Sequence, residues 1–517
     1  MAPTDLRRCA ARTPEHPAVV CGDARLSYAA LDALANRYAR VFDAEGMHRG
    51  DHIASLVGNR PEVLAIAWAA YRSGLYLTPM PTTLAVGEAA YLVQNAQAKL
   101  VVLDAALGEL ATRLPGAAAG STAWLSIGGE MARCRSLESS AAAHPPTPRA
   151  HEPPGALMVY TSGTTGAPKG VWRPLPPEDF EGTPPFAADL LTLFGLGEAG
   201  VRYLSTAPLY HAAPLRFALA VTASGGTAHV MERFDAGLAL DLLEREAITH
   251  SQWVPAMFQR MLSLPEARRG AFSAPSHRVA VHGAAPCSAA LKRRMIDWWG
   301  PILLEYYSGS EGIGLTLIDS HEALRKPGSV GRSRKGEIHV LGAEGRELAA
   351  GETGAIHFSG TKPFAYFNEP AKTAARTSPQ GWQTFGDVGH VDAEGYLYLT
   401  DRQDDMIISG GVNIYPQEIE LAVLEVPGVW ECAVVGTADE RFGERPVAFV
   451  VADRTRPIDA QRLIAAIEAH NLERLGKYKQ PSEIRVVDQL PRSPTGKLLR
   501  RVLRDRLAAT PPGSRLP

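Results

Sequence analysis

Residues 160–170 read YTSGTTGAPKG, and they follow the apolar run Ala156–Tyr160. A strand-like run that ends in such a string delivers a loop at a fixed place. Glycines at 163, 166 and 170 let the backbone turn tightly and approach a ligand closely. Thr161, Ser162, Thr164 and Thr165 offer hydroxyl donors, and successive backbone N–H groups form an anion-binding nest. Lys169 adds a compact positive charge. Those are the parts needed to hold a triphosphate. The string is not a Walker A loop, because Gly163 and Gly166 stand three apart and Lys169 is followed by Gly170 rather than Ser or Thr.

Around this loop, from the start to about residue 400, strand-like runs alternate with helical stretches. Ile53–Val57, Leu100–Leu103, Thr227–Met231 and Arg278–Val281 read as strands, and Asp32–Glu45 and Glu62–Ser73 carry apolar residues at helical spacing. The alternation predicts an α/β fold with helix-covered parallel sheets. Residues 137–155, rich in Pro, Ala and Ser, read as a surface connection into the strand before the loop. Short β-runs with Gly turns predict an antiparallel or β-barrel-like subdomain over about 330–400. Beyond it a compact α+β unit is expected, with a helix at Pro416–Leu424 opened by Pro, strands at Ala433–Val435 and Val447–Val451, and a helix at Ile458–Leu472. Ile458, Leu463, Ile464, Ile467 and Leu472 lie roughly on one side of that last helix. The division reads as a large N-terminal domain, 1–403, and a small C-terminal domain, 404–517.

A chain of 517 residues is too long for one compact core. With 45% hydrophobic and 21% charged residues and a formal charge of -2, it has an ordinary globular composition. No basic excess points to nucleic acid or an anionic membrane. The five cysteines are scattered, with no pair at metal-ligand spacing, and read as free thiols in a reducing compartment. The N-terminus has no apolar signal region, and no apolar run approaches the ~20 residues of a transmembrane helix. A cytoplasmic protein is expected, with a homodimer as one open assembly.

Further segments follow in a fixed order: YRSGLYLTPM (71–80), TAPLYHAAP (206–214), HGAAP (282–286), EYYSGSEG (305–312), KPGSVGR (326–332), GETG (351–354), FGDVG (385–389), DRQDDMIISGGVNIYPQEIE (401–420) and PRSPTGK (491–497). With the 160–170 loop, this series resembles the adenylate-forming superfamily of acyl- and aryl-CoA synthetases, peptide-synthetase adenylation domains and luciferases. It looks closest to bacterial fatty-acyl, aryl and bulky alicyclic acid CoA ligases. The resemblance implies ATP-dependent activation of a carboxylic acid as acyl-AMP, followed by transfer to coenzyme A. The alternative acceptor is a carrier-protein pantetheine or an amine.

The roles the resemblance implies attach to matching positions. Thr161, Ser162, Gly163, Thr164, Thr165, Gly166 and Lys169 would hold the phosphates of ATP. Gly283, Ala284, Ala285, Tyr306 and Tyr307 would line the adenine site, with Tyr307 stacked on the base. Ser310 would contact the α-phosphate, and Glu311 would bind Mg²⁺ together with phosphate oxygens. Asp387 would accept the ribose hydroxyls, and Arg402 would touch ribose and phosphate. Lys497 would be the catalytic lysine. His211 would gate the acyl site, Asp404 would be the hinge of a mobile lid formed by the C-terminal domain, and Ser409, Gly410 and Gly411 would line the pantetheine path. Ser308 stands where the family usually has Gly. Cys287 reads as packing.

Candidate acyl-pocket residues by the same resemblance are Tyr210, His211, Phe217, Trp253, Ala284, Gly309 and Gly314. They are mostly apolar or aromatic. YHAAPLRF, residues 210–217, lacks the acid that amino-acid-activating relatives carry there, so an α-amino acid is not expected. Arg216 reads as a surface arginine, with contact to a second polar group of the substrate as the alternative. A hydrophobic monocarboxylate of medium or bulky size is expected.

Overall fold

The computed structural model describes residues 5–118, 120, 122–161, 168–410, 412–453, 458–492 and 498–509. Two parallel sheets dominate the first four hundred residues. One runs in the order 135–136, 123–127, 98–104, 52–56, 76–79, 156–157. The other has a parallel half, 303–307, 279–282, 250–253, 202–205, 227–230 and 17–21, edged by 24–27. Its strands are short and buried on both faces, as parallel strands covered by helices must be.

Helices Glu62–Arg72 and Ala212–Ser224 explain how the sheets are held. The first is buried at every position from Val63 to Ala70, and the second from Phe217 to Ala223. A helix apolar all round must be covered all round. Both helices share one core with residues of both sheets, such as Ile53, Leu100, Tyr203 and Ala228. Trp68 Nε1 donates to Thr222 Oγ1 at 3.1 Å and ties one helix to the other. The buried Arg72 closing the first helix is satisfied by Asp32 at 2.5 Å and by Asn36 at 2.8 Å.

The β-run after 330 is antiparallel, as expected, but it continues the large sheet instead of closing into its own ring. Strand Ser329–Lys335 pairs with Leu315–Asp319 on one side and Leu397–Arg402 on the other, and 387–391, 354–359 and 337–341 follow outward. Gly331 sits at an irregularity in this joining strand with φ +93, and a Cβ there would run into the Leu317 carbonyl. Gly331→Ala should therefore cost at least about 3 kcal/mol, through strain and backbone collision together. A urea midpoint equal to that of the parent protein would show that the joint yields.

The segment 137–155 is a surface connection only in part, since its start is the helix Leu137–Ala142, with Leu137 and Ala141 buried. The last unit is α+β. Strands 429–439 and 443–452 form a long antiparallel pair, extended by 407–409, 412–414 and 483–486. Helix Pro416–Leu424 spans its expected length. The next helix is Ala460–Arg474, and its inner face is Leu463, Ile467 and Asn471. Ile458 precedes it, and Leu472 is 73% exposed. Positions four apart repeat on one face, and Leu472 falls about 100° off that row.

Candidate active site

Part of the set singled out above converges at strand ends. Strand Val279–His282 runs into Gly283, Ala284 and Ala285, and its neighbour Leu303–Tyr307 runs into the turn 308–312. The carboxyl edge of parallel strands is where ligand sites form in such sheets. Asp387 opens one antiparallel strand, Arg402 closes the next, and the two are direct cross-strand partners.

This register builds a polar triangle. The Tyr307 hydroxyl donates to Asp387 Oδ2 at 2.6 Å, and Arg402 Nε lies 3.2 Å from Asp387 Oδ1. Burial and the Asp387 charge push the Tyr307 hydroxyl far above its ordinary range, so it stays a donor. Burial opposes the Arg402 charge, but Asp387 and Tyr307 more than offset it.

Beside the triangle lies Glu311, buried, with Oε1 accepting from the Tyr366 hydroxyl at 2.9 Å. Lys169 Nζ stands 5.1 Å over the Tyr366 ring. The pairing of Lys169 with Thr161 closes the mouth of the Gly/Thr loop, and Val171, two residues on, pairs with Tyr366. Arg173 donates to the carbonyls of Glu311 at 2.6 Å and Lys362 at 3.2 Å, pinning the turn from behind. A Cβ on Gly309 would come within 2.5 Å of Phe385 and 2.6 Å of Glu311 Oε2, so only glycine fits beside that carboxylate. Ser308 Oγ donates to the Gly314 carbonyl at 2.7 Å, which fastens the two ends of the turn. Ser310 sits in the same turn, half-buried.

The Tyr306 hydroxyl lies 3.4 Å from Gln252 Nε2, and its ring packs on Phe194 and Phe217. Phe217 is 2% exposed, inside the main core behind Tyr306. Trp253 is equally buried in a second core with Phe258 and Trp299, and its Nε1 donates to Ser251 Oγ at 2.6 Å. Gly314 faces the Phe358 ring, which a Cβ would strike. Tyr210 and His211 are half-buried with rings 4.7 Å apart, and His211 occupies the N-cap of helix Ala212–Ser224. Burial lowers His211 to about 4, so it is neutral at pH 7. Burial pushes the Cys287 thiol far up, which suits packing rather than nucleophilic chemistry.

Asp404 falls in the single turn Gln403–Asp405; its side chain lies outside the described residues. Its neighbours are anchored: Asp401 accepts from Gln417 N at 2.7 Å, and Asp405 pairs with Arg504 at 3.0 Å and Arg500 at 3.6 Å. Ser409 and Gly410 lie in a hairpin whose Gly410 N–H donates to the Phe442 carbonyl at 2.7 Å. Exposed Ile408, Val412 and Phe442 surround it. Lys497, Gly411 and Ser162, Gly163, Thr164, Thr165 and Gly166 lie outside the described residues. Tyr366, Arg173 and the Asp405–Arg500–Arg504 set were not singled out from sequence. The acid run at 401–405 facing the basic run at 500–506 was the available signal for the last of these.

Six histidines carry a pH consequence. Burial holds His52, His211, His229 and His250 at about 4, and His277 and His282 at about 3. Below about 6.5 the unfolded chain binds protons that the native state refuses, so each group costs about 1.4 kcal/mol per pH unit down to its folded value. Asp401, raised by burial to about 6, and Glu305, also raised by burial, act in the opposite sense as pH falls, but they are two groups against six. Urea midpoints should therefore fall steeply from pH 6.5 to 5; a flat profile would mean these rings are solvated.

Comparison with known proteins gives this arrangement a family. The family described as AMP-binding enzyme matches residues 6–365, and the AMP-binding enzyme C-terminal domain matches residues 418–497. The chain is 34% identical over 494 residues to the long-chain-fatty-acid–CoA ligase FadD13 of Mycobacterium tuberculosis, covering 95% of each. It is 32% identical to the fatty acid–[acyl-carrier-protein] ligase ScoC of Streptomyces coeruleorubidus, covering 95% of this chain and 94% of that one. Among solved structures it superposes on the o-succinylbenzoate CoA synthetase of Bacillus subtilis in complex with its acyl-adenylate intermediate. That match has a TM-score of 0.81 at 26% identity and covers 97% and 98% of the two chains. The chain therefore belongs to the AMP-binding enzyme family, over residues 6–365 and, in the family's C-terminal domain, residues 418–497.

Proposed function

We propose that the chain is an ATP-dependent carboxylate–CoA ligase for acids with a largely apolar body. In the first half-reaction a carboxylate oxygen attacks the α-phosphorus of ATP, an acyl–phosphate bond forms and pyrophosphate leaves. In the second, a thiol sulfur attacks the acyl carbon, a thioester forms, and AMP leaves while the thiol proton passes to solvent. Two anions must meet in the first step, so the protein contributes mainly positioning and electrostatic stabilisation. The observation that carries the reading is the joined set Tyr307–Asp387–Arg402 and Lys169–Tyr366–Glu311, beside the mouth of the 160–170 loop.

Among the described residues no group of three or more His, Cys, Asp or Glu side chains could hold a metal alone. A single buried carboxylate suits Mg²⁺, which binds one or two protein carboxylates plus substrate phosphates. Glu311 is that carboxylate, and the ion would neutralise charge on the departing pyrophosphate. Arg402 and Asp387 hold the ribose, and Lys497 bridges the substrate carboxylate and the α-phosphate. We place the domain division at 403/404, with Asp404 as pivot. Rotation there brings Ser409, Gly410 and Gly411 to the pantetheine arm once pyrophosphate has gone. No described helix is long and apolar enough to cross a membrane. The five unpaired cysteines suit a reducing, cytoplasmic setting.

Similarity to a carrier-protein ligase keeps a second acceptor in play. The deciding experiment incubates the protein with ATP, Mg²⁺ and a panel of fatty, aryl and alicyclic acids, with and without CoA. AMP that rises with CoA, together with a thioester of matching mass, supports the ligase. Acid-dependent pyrophosphate release without any thioester moves the acceptor to a carrier protein or an amine.

A further inference from the structure

Arg216 is not the surface arginine its sequence position suggests. It lies half-buried in helix Ala212–Ser224, between Leu215 at 0% and Phe217 at 2% exposure. Several covered arginines have acceptors: Arg72 has Asp32 and Asn36, Arg500 has Glu420, and Arg173 has two carbonyls, whereas Arg37, in another helix and far from the site in sequence, shares the lack of one. Arg216 has no hydrogen bond and no ion pair among the described residues. Asp189 is the acid whose charge reaches it, and that carboxylate is taken by Lys335 at 2.5 Å. Arg173, a like charge, is near enough for its guanidinium to be disfavoured by burial and by Arg216.

A partly desolvated guanidinium without an acceptor is costly and is normally paired or bound to a ligand. Its surroundings say what ligand. Arg216 follows His211 by five residues, about 7.5 Å along the helix axis. Its charge is also felt by Tyr306, the ring behind the turn that carries Glu311. Arg216 thus sits about one and a half turns into the helix that His211 caps, within electrostatic reach of Arg173, which holds the Glu311 carbonyl, and of Tyr306.

We propose that Arg216 pairs with a second anionic group on the acid substrate, a carboxylate foremost, at the end remote from the carboxyl that is adenylated. The assignment rests on the ligase reading and narrows its substrate from acids with a largely apolar body to those that also have an anionic far end. A planar, forked donor matches a carboxylate with two hydrogen bonds, which an ester cannot reproduce.

The test uses matched pairs: adipic, suberic and terephthalic acids, each against its monomethyl ester, with octanoic and benzoic acids as apolar references. Pyrophosphate release gives kcat/KM for each. The parent enzyme should favour the best diacid over its ester by about 30-fold, from a charge-assisted contact of about 2 kcal/mol. Arg216→Leu should bring that ratio to about one, and Arg216→Lys should keep part of it. Arg216→Gln is a second neutral variant should the leucine variant not fold. Melting of Arg216→Leu should occur at or above the parent temperature, because an unpaired charge has been removed. A parent without diacid preference, or a leucine variant that retains it, overturns the assignment while turnover of the apolar references leaves the ligase reading standing. No pyrophosphate from any acid overturns both.

Discussion

Asparagine in place of Asp387 is expected to raise the KM for ATP about 100-fold in acyl-AMP formation, with little change in the KM for the acid. Asparagine keeps the shape of the side chain and removes its charge. Asp387 is buried, receives the Tyr307 hydroxyl at 2.6 Å and lies 3.2 Å from Arg402. In the proposed complex its oxygens also accept the ribose hydroxyls. Charge-assisted bonds of this kind are worth about 1.5–3 kcal/mol each. Losing the charge therefore weakens the nucleotide contact by about 3 kcal/mol, or roughly 100-fold. Tyr307→Phe separates the terms, since it keeps the carboxylate and deletes one donor; about a tenfold rise is expected there. ATP–pyrophosphate exchange at saturating acid reads both variants. An unchanged KM for ATP in Asp387→Asn would place the ribose contact elsewhere.

The legibility of this chain followed how local each signal is. Helix Glu62–Arg72 and strand Thr227–Val230 were read within a residue or two, because periodicity and burial there are set by neighbours in sequence. The run Ala156–Tyr160 was read as one strand and is two short pieces. Ala156 and Leu157 pair with Tyr76 and Leu77 in one sheet, while Tyr160 pairs with Gly170 in another. A change of partner between sheets leaves no mark on an apolar run. The same holds in the site. Glu311, Asp387 and Arg402 were legible because each sits in a distinctive string. Tyr366 and Arg173 were not, because they act on the Glu311 turn from 55 and 138 residues away.

Arg216 is the opposite case, a residue whose burial is written in its own helix. PLRFALAVTA, residues 214–223, is apolar except at Thr222 and Arg216, and Arg216 is its one charge. Such a helix has to be covered all round, so its single charge is covered as well. A charge placed there at the cost of desolvation is a candidate for ligand contact, whereas an arginine on an amphipathic helix is not.

Lys497→Ala is expected to reduce acyl-AMP formation about 1,000-fold and to leave conversion of supplied acyl-AMP to thioester nearly intact. The first half-reaction brings a carboxylate to a polyphosphate, and a cation facing both in the transition state is worth about 3–4 kcal/mol. The second half-reaction begins after pyrophosphate has left and joins a thiol to an uncharged acyl carbon, so it makes no comparable demand on that charge. The helix that follows the lysine in sequence is anchored to the lid and to the proposed pivot. Arg500, three residues on, is held by both oxygens of Glu420 at 2.6 and 2.8 Å, and with Arg504 it reaches Asp405 beside the proposed pivot. Helix Arg500–Ala509, the lid sheet and the turn at Asp405 are thereby tied together, so that in the proposed cycle one rotation would withdraw the lysine and present the Ser409–Gly410 hairpin. Synthetic acyl-AMP with CoA measures the second step alone, and ATP–pyrophosphate exchange measures the first. Equal losses in both would make Lys497 a structural residue of the lid and would remove the alternation of roles from the proposal, while loss confined to the first step assigns the two faces of the lid to separate reactions.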